Sequence, residues 1–235
     1  MSVSYDGGSL GSAPLLSGLD RPHRKITYFN DCFVDLTSDG FTLTELNDGG
    51  SEFAATETLQ DAKGGVVKID VASGGDSAHD GAQVGSAEMF KCDKDLYYET
   101  RVKFANPGYA FIGLSAGADD GAILSAASAL NNADMIGFYL DGGTSTNTSM
   151  DFYSRKDSTN STVSSVATVG SDFIRLGFTV KSGVVTVWVD GEKKGTVESN
   201  IPSNEELGIV WAITSDGTDG VPTLEIDYAV GSMDR

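Results

Sequence analysis

Two histidines limit the acid–base and nucleophilic chemistry open to this chain. His23 lies in a basic stretch near the N-terminus, Arg21-Pro22-His23-Arg24-Lys25. His79 lies in the loop-type sequence Gly74-Gly75-Asp76-Ser77-Ala78-His79-Asp80-Gly81. Ser–His and Cys–His machinery needs a rigid imidazole oriented by a third group, and neither setting offers one. Carboxylates are the other resource. Glycoside hydrolysis needs two positioned carboxyl groups, and on a sandwich strand E-x-D-x-E would align three acids on one face. Glu225-Ile226-Asp227 comes nearest, but Ala229 stands at the third place. Glu99 is a lone acid beside Arg101 and Lys103. These acids are expected to face solvent from half-buried strands. No catalytic residue is assigned, and the chain is expected not to be an enzyme.

Metal and ligand sites follow. Calcium needs several converging oxygen donors. Asp119-Asp120, Asp76/Asp80 and Asp216/Asp219 supply oxygens, but none fits the D-x-D-x-D-G spacing, and Asp and Gly are also ordinary turn residues. No metal ligand is assigned and no cofactor is expected, with a loop-bound Ca²⁺ as the open alternative. No G-x-x-x-x-G-K-[ST] run is present to cradle a nucleotide. Cys32 and Cys92 lack a CxxC spacing, so two buried free thiols are expected, although spacing alone does not decide on a bridge. Among the aromatics, Trp188 and Trp211 sit within apolar strands and are expected in the core. Tyr139 and Tyr153 are the candidate ligand-binding residues.

The elements that must position these groups are strands. The clearest stretch is Asp172–Val197. Ile174, Leu176, Phe178 and Val180 alternate with Arg175, Gly177, Thr179 and Lys181, which is the period of a half-buried strand. Turns at Lys181-Ser182-Gly183 and Asp190-Gly191 make an antiparallel meander. Tyr97 to Phe104 alternates as well, with Tyr98, Thr100, Val102 and Phe104 on one side and Tyr97, Glu99, Arg101 and Lys103 on the other. In the last strand Leu224, Ile226, Tyr228 and Val230 are expected to share a face. Ala- and Ser-rich residues 116–134 break the pattern, and Ile123, Ala127 and Leu130 have helical spacing, so a short helix or a structured long loop is expected there. About a dozen short strands with Gly/Asp turns predict an all-β, two-sheet antiparallel β-sandwich of jelly-roll type. Residues 26–235 are read as this one domain, and residues 1–25 as an extended N-terminal arm, either one that orders against a partner or a plain disordered terminus.

The totals narrow the partners. The 235 residues carry 34 acids against 16 bases, a formal charge of −18, with 29 Gly and 5 Pro. Such a charge repels nucleic acid and anionic membrane, so neither is expected as a partner. No apolar run reaches the length of a membrane span. The first residues lack the basic and apolar regions of a secretory signal, which predicts synthesis in a cytoplasm.

Ile112-Gly-Leu-Ser115, Ile136-Gly-Phe-Tyr-Leu-Asp-Gly142, Val187-Trp-Val-Asp-Gly191 and Leu224-Glu-Ile-Asp-Tyr228 together resemble a concanavalin A-like, laminin-G-like jelly roll. The pattern resembles in particular the structural and capsid decoration proteins of tailed-phage virions. The resemblance covers roughly residues 29–230. It implies a virion protein that binds the major capsid protein or other shell subunits, as an oligomer, made in a host cytoplasm. Arg21, His23, Arg24 and Lys25 are then the expected partner contacts of the arm. The wider fold also implies an alternative, a carbohydrate-binding adhesion module with Tyr139 and Tyr153 at the glycan.

Overall fold

In the computed structural model the described residues are 24–32, 35–46, 55–60, 65–71, 80–106, 108–119, 122–124, 130–142, 148–215 and 222–234. They form fifteen strands: β1 (Arg24–Asn30), β2 (Thr42–Leu46), β3 (Ala55–Gln60), β4 (Val66–Val71), β5 (Gly81–Gly85), β6 (Leu96–Ala105), β7 (Tyr109–Ser115), β8 (Met135–Leu140), β9 (Ser149–Lys156), β10 (Thr159–Thr168), β11 (Ile174–Lys181), β12 (Val184–Val189), β13 (Glu192–Val197), β14 (Gly208–Thr214) and β15 (Thr223–Asp234). One 3-10 turn, Thr37–Asp39, is the only helical segment among the described residues. The strands make two antiparallel sheets. Sheet A runs β13-β12-β11-β6-β15-β4-β3, with β1 added along the second half of β15. Sheet B runs β10-β9-β8-β7-β14-β5-β2. The predicted all-β jelly-roll sandwich is therefore the architecture observed.

Alternation explains why the sheets face each other. Val67, Ile69, Tyr98, Val102, Leu176, Phe178, Val185, Val187, Leu224 and Ile226 of sheet A meet Ile112, Ile136, Phe138, Phe152, Ile209 and Trp211 of sheet B in one core. Phe152 links the layers: its ring is edge-on to Phe138 within sheet B at 5.2 Å and to Phe178 across the core at 5.5 Å. Such pairs add about 0.5–1.5 kcal/mol beyond the area they bury. Strands β7, β8 and β14 are buried on both sides, so their near-continuous apolar sequences reflect a cover on the outer side as well.

In the 116–134 segment Ala127 lies outside the described residues, and its flanks form a hairpin-like contact, as a structured long loop would: Leu124 bridges Leu130 and the Asn131 amide donates to the Ile123 carbonyl over 2.8 Å. Two expectations change. Trp188 is only half-buried, whereas Trp211 is fully enclosed. The face of β15 switches midway. The register against β6 slips between Ile226 and Tyr228, a β-bulge that places one extra residue on the strand. Leu224, Ile226, Ala229 and Met233 consequently point into the core, while Tyr228 and Val230 join Tyr97 on the outside. Both cysteines are buried free thiols. Burial pushes Cys32 up to about 12 and Cys92 higher still, which makes both poor nucleophiles.

Candidate functional site

The bulge builds a site on the outer face of sheet A. Register carries one rung straight across six strands: Lys193 on β13, Trp188 on β12, Gly177 on β11, Glu99 on β6, Val230 on β15 and Phe29 on β1. Directly paired residues share a face. Trp188 and Glu99 are therefore separated only by a glycine, and with strands about 4.8 Å apart the gap between their strands is about 10 Å. Gly177 leaves that gap open. A Cβ there would lie 3.0 Å from the Tyr98 carbonyl oxygen and 3.4 Å from the Glu99 Cβ. The indole N–H of Trp188 is buried and has no hydrogen-bond partner among the described residues.

Glu99 lies at the centre and is 7% exposed. Its carboxylate accepts a 2.6 Å hydrogen bond from the Tyr228 hydroxyl. Desolvation raises its pKa above the ordinary glutamate value, against hydrogen bonds from Tyr228 and Tyr97 and the charge of Arg175, which pull it down. The same burial and the Glu99 charge raise both tyrosine hydroxyls. Arg175 is held from the other side by Asp190, whose carboxylate accepts from the Arg175 amide over 2.9 Å. Beside this group Arg101 pairs with Asp227 and lies 4.5 Å over the Phe173 ring. Lys103 pairs with Glu225 at 2.9 Å. The chemical content is a recessed, proton-accepting carboxyl under two tyrosines, an aromatic platform, and an open floor between them.

The tyrosines expected at a ligand lie on the other sheet. Tyr139 and Tyr153 are edge-to-face neighbours at 5.4 Å on the outer side of sheet B. Ala118, Ile123, Leu124, Leu130 and Ala133 of the 116–134 segment pack over them, together with Phe111, Met135, Val210 and Ala212. Tyr139 is 9% exposed. Arg21 and His23 lie outside the described residues, as do His79, Asp76, Asp120, Asp216 and Asp219; Arg24 and Lys25 open β1. Among the described residues no group of three or more His, Cys, Asp or Glu could hold a metal. Glu225 and Asp227 face outward as expected, but each carries a basic partner. Tyr228 was missed because a period-2 reading carries it into the core.

No protein-family model matches the sequence, and no curated protein sequence matches it either. Solved structures match the fold. A β-glucanase from Bacillus licheniformis is 14% identical, covering 89% of this chain and 98% of its own, with a TM-score of 0.58. A β-1,3-glucanase from Mycobacterium marinum is 12% identical, covering 87% and 97%, at 0.60. A carbohydrate esterase from the Shiga toxin-encoding bacteriophage phi24B is 14% identical, covering 89% and 98%, at 0.50. The fold is thus a concanavalin A-like jelly roll of the kind found in glucanases. The expectation that the chain is not an enzyme is overturned: over nearly its whole length it has a scaffold that β-glucanases use. The missing E-x-D-x-E strand is therefore no ground for excluding catalysis.

Proposed function

We propose that this protein is a carbohydrate-binding jelly roll that holds a glycan chain across the outer face of sheet A. The rung Trp188–Gly177–Glu99 carries this reading. A sugar ring has an apolar face that suits the Trp188 indole, and hydroxyls that suit Glu99, Tyr97 and Tyr228. The likeness to glucanases supports carbohydrate as the ligand class, and the raised pKa of Glu99 makes it the group to examine for proton transfer.

Affinity electrophoresis in gels containing laminarin, mixed-linkage β-glucan or alginate tests the reading. At least one polysaccharide should retard the wild-type protein, and Trp188→Ala should weaken that binding at least tenfold while the fold persists. Migration unaffected by every polysaccharide would overturn the proposal. Assay of new reducing ends in the same mixtures, with Glu99→Gln as control, reports whether binding leads to cleavage.

A second reading, attachment to a phage shell, is favoured by one observation. Phe29 on β1 is 61% exposed, the largest exposure among the described bulky apolar residues. It stands next to Val230 on the strand that follows the proposed arm. Replacing Phe29 with Ser should then lower co-sedimentation with particles; unchanged co-sedimentation would remove β1 from the contact.

A further inference from the structure

The charge of the chain is not spread evenly over the sandwich. Of its 16 basic residues, Lys68, Arg101, Lys103, Arg175, Lys181 and Lys193 lie on the outer face of sheet A, by strand alternation and register. The acids there are Asp70, Glu99, Glu225, Asp227 and Asp190, which contacts Arg175, with Asp234 at the strand end. On a protein of formal charge −18, this face is close to neutral, and protonation of Glu99 would leave it net positive.

The pairing within the face sharpens the point. Lys68, Arg101 and Lys103 are tied to Asp70, Asp227 and Glu225. Lys193, directly across from Trp188, and Lys181, on the neighbouring hairpin, have no carboxylate partner among the described residues. Of these two cations Lys193 lies beside Trp188, and Lys181 lies opposite Val184, four residues or about 13 Å along the strands. A chain of several sugar rings with one ring on Trp188 would reach both.

Building on the carbohydrate reading above, we propose that the glycan is anionic, a chain of uronic acids whose carboxylates pair with Lys193 and Lys181 while a ring stacks on Trp188. Neutral glucans would use the aromatic platform and leave both ammonium groups unused. Charge-assisted hydrogen bonds to carboxylate are about twice as strong as neutral ones. The strongly negative remainder of the molecule would hold the polyanion to this face.

Isothermal titration against oligoguluronate and laminarioligosaccharide of equal length, at 20 and 300 mM NaCl, tests the proposal. The uronate should bind at least tenfold more tightly at low salt, and that advantage should shrink several-fold at high salt. Lys193→Gln should lower uronate affinity at least fivefold and leave laminarioligosaccharide affinity unchanged. Equal affinity for both sugars, or preference for the neutral one, would overturn the anionic assignment while the carbohydrate reading stands. Binding to neither would remove the carbohydrate reading itself. Single-stranded DNA bound as tightly as the uronate would show a face that selects charge alone, and would also overturn the proposal.

Discussion

The two outer faces of the sandwich have opposite construction. On sheet B the outward residues Phe111, Met135, Tyr139, Val210 and Ala212 form an apolar patch, and a strap made of residues 116–119, 122–124 and 130–134 packs on it. Gln83, fully buried, holds it down with both ends of its amide: Nε2 donates to the Ala118 carbonyl at 3.0 Å and Oε1 accepts from the Ile123 amide at 2.8 Å. Glycines at 85 and 208 make room, since a Cβ at Gly85 would lie 1.7 Å from the Ala118 carbonyl oxygen. On sheet A the outward residues around the rung include Tyr97, Glu99, Arg175, Trp188, Lys193 and Tyr228. One face is closed by backbone contact and the other is finished with side chains that bond to one another. A fold needs only one covered layer to make a core, so the second cover on sheet B leaves sheet A as the face for the proposed glycan site.

The largest test of this contrast is on the closed side. Gln83→Leu would leave the Ala118 carbonyl and the Ile123 amide buried without partners, which should destabilise the fold by about 2–4 kcal/mol. Urea denaturation measures the loss, and glycan binding by the remaining folded protein should be unchanged. If binding fell along with stability, the two faces would not be independent.

A smaller effect is expected beneath the open side. Thr100 points into the core under the bulge, where its hydroxyl donates to the Tyr228 carbonyl at 2.8 Å and accepts from the Trp211 indole at 3.3 Å. It fixes the strand where Tyr228 turns outward. Thr100→Val should cost about 1–3 kcal/mol and also weaken glycan binding. Thr100→Ser, which keeps the hydroxyl, should restore the binding. Stability loss in Thr100→Val with unaltered affinity would reduce Thr100 to a packing role.

How far the sequence shows this arrangement depends on distance along the chain. The alternation of β6 and β11 places Tyr97, Glu99, Arg101 and Arg175 correctly, because each strand repeats with period 2 without interruption. The same rule misplaces Tyr228, since the bulge at Asp227 shifts the phase and nothing in Glu-Ile-Asp-Tyr-Ala signals it. Trp188 was expected in the core because its neighbours are valines, although strict alternation already puts it opposite Val187 and Val189. Tyr139 and Tyr153 were taken for ligand residues because the strap over them is anchored by Gln83, 35 and 40 residues away from its partners. Local patterns do not carry a contact of that span.

The smallest effect concerns Glu99 and has a definite sign with pH. Burial lifts its pKa in the folded protein above the ordinary glutamate value, so the folded state holds the proton more tightly than the unfolded chain does. That contribution to stability is fully present below the unfolded pKa. It is lost as pH rises through the folded value, where the buried carboxyl must ionise. Glu99→Gln keeps the shape and an acceptor for the Tyr228 hydroxyl but has no proton to lose. Its melting temperature should exceed that of the wild type at pH 8, and the gap should close on acidification toward pH 4. Gln83→Leu removes no titrating group, so it should shift the melting curve by about the same amount at both pH values. A Glu99→Gln protein less stable than the wild type at pH 8 would mean that Arg175, Tyr97 and Tyr228 outweigh desolvation, and that the site is built to hold a carboxylate rather than a carboxylic acid.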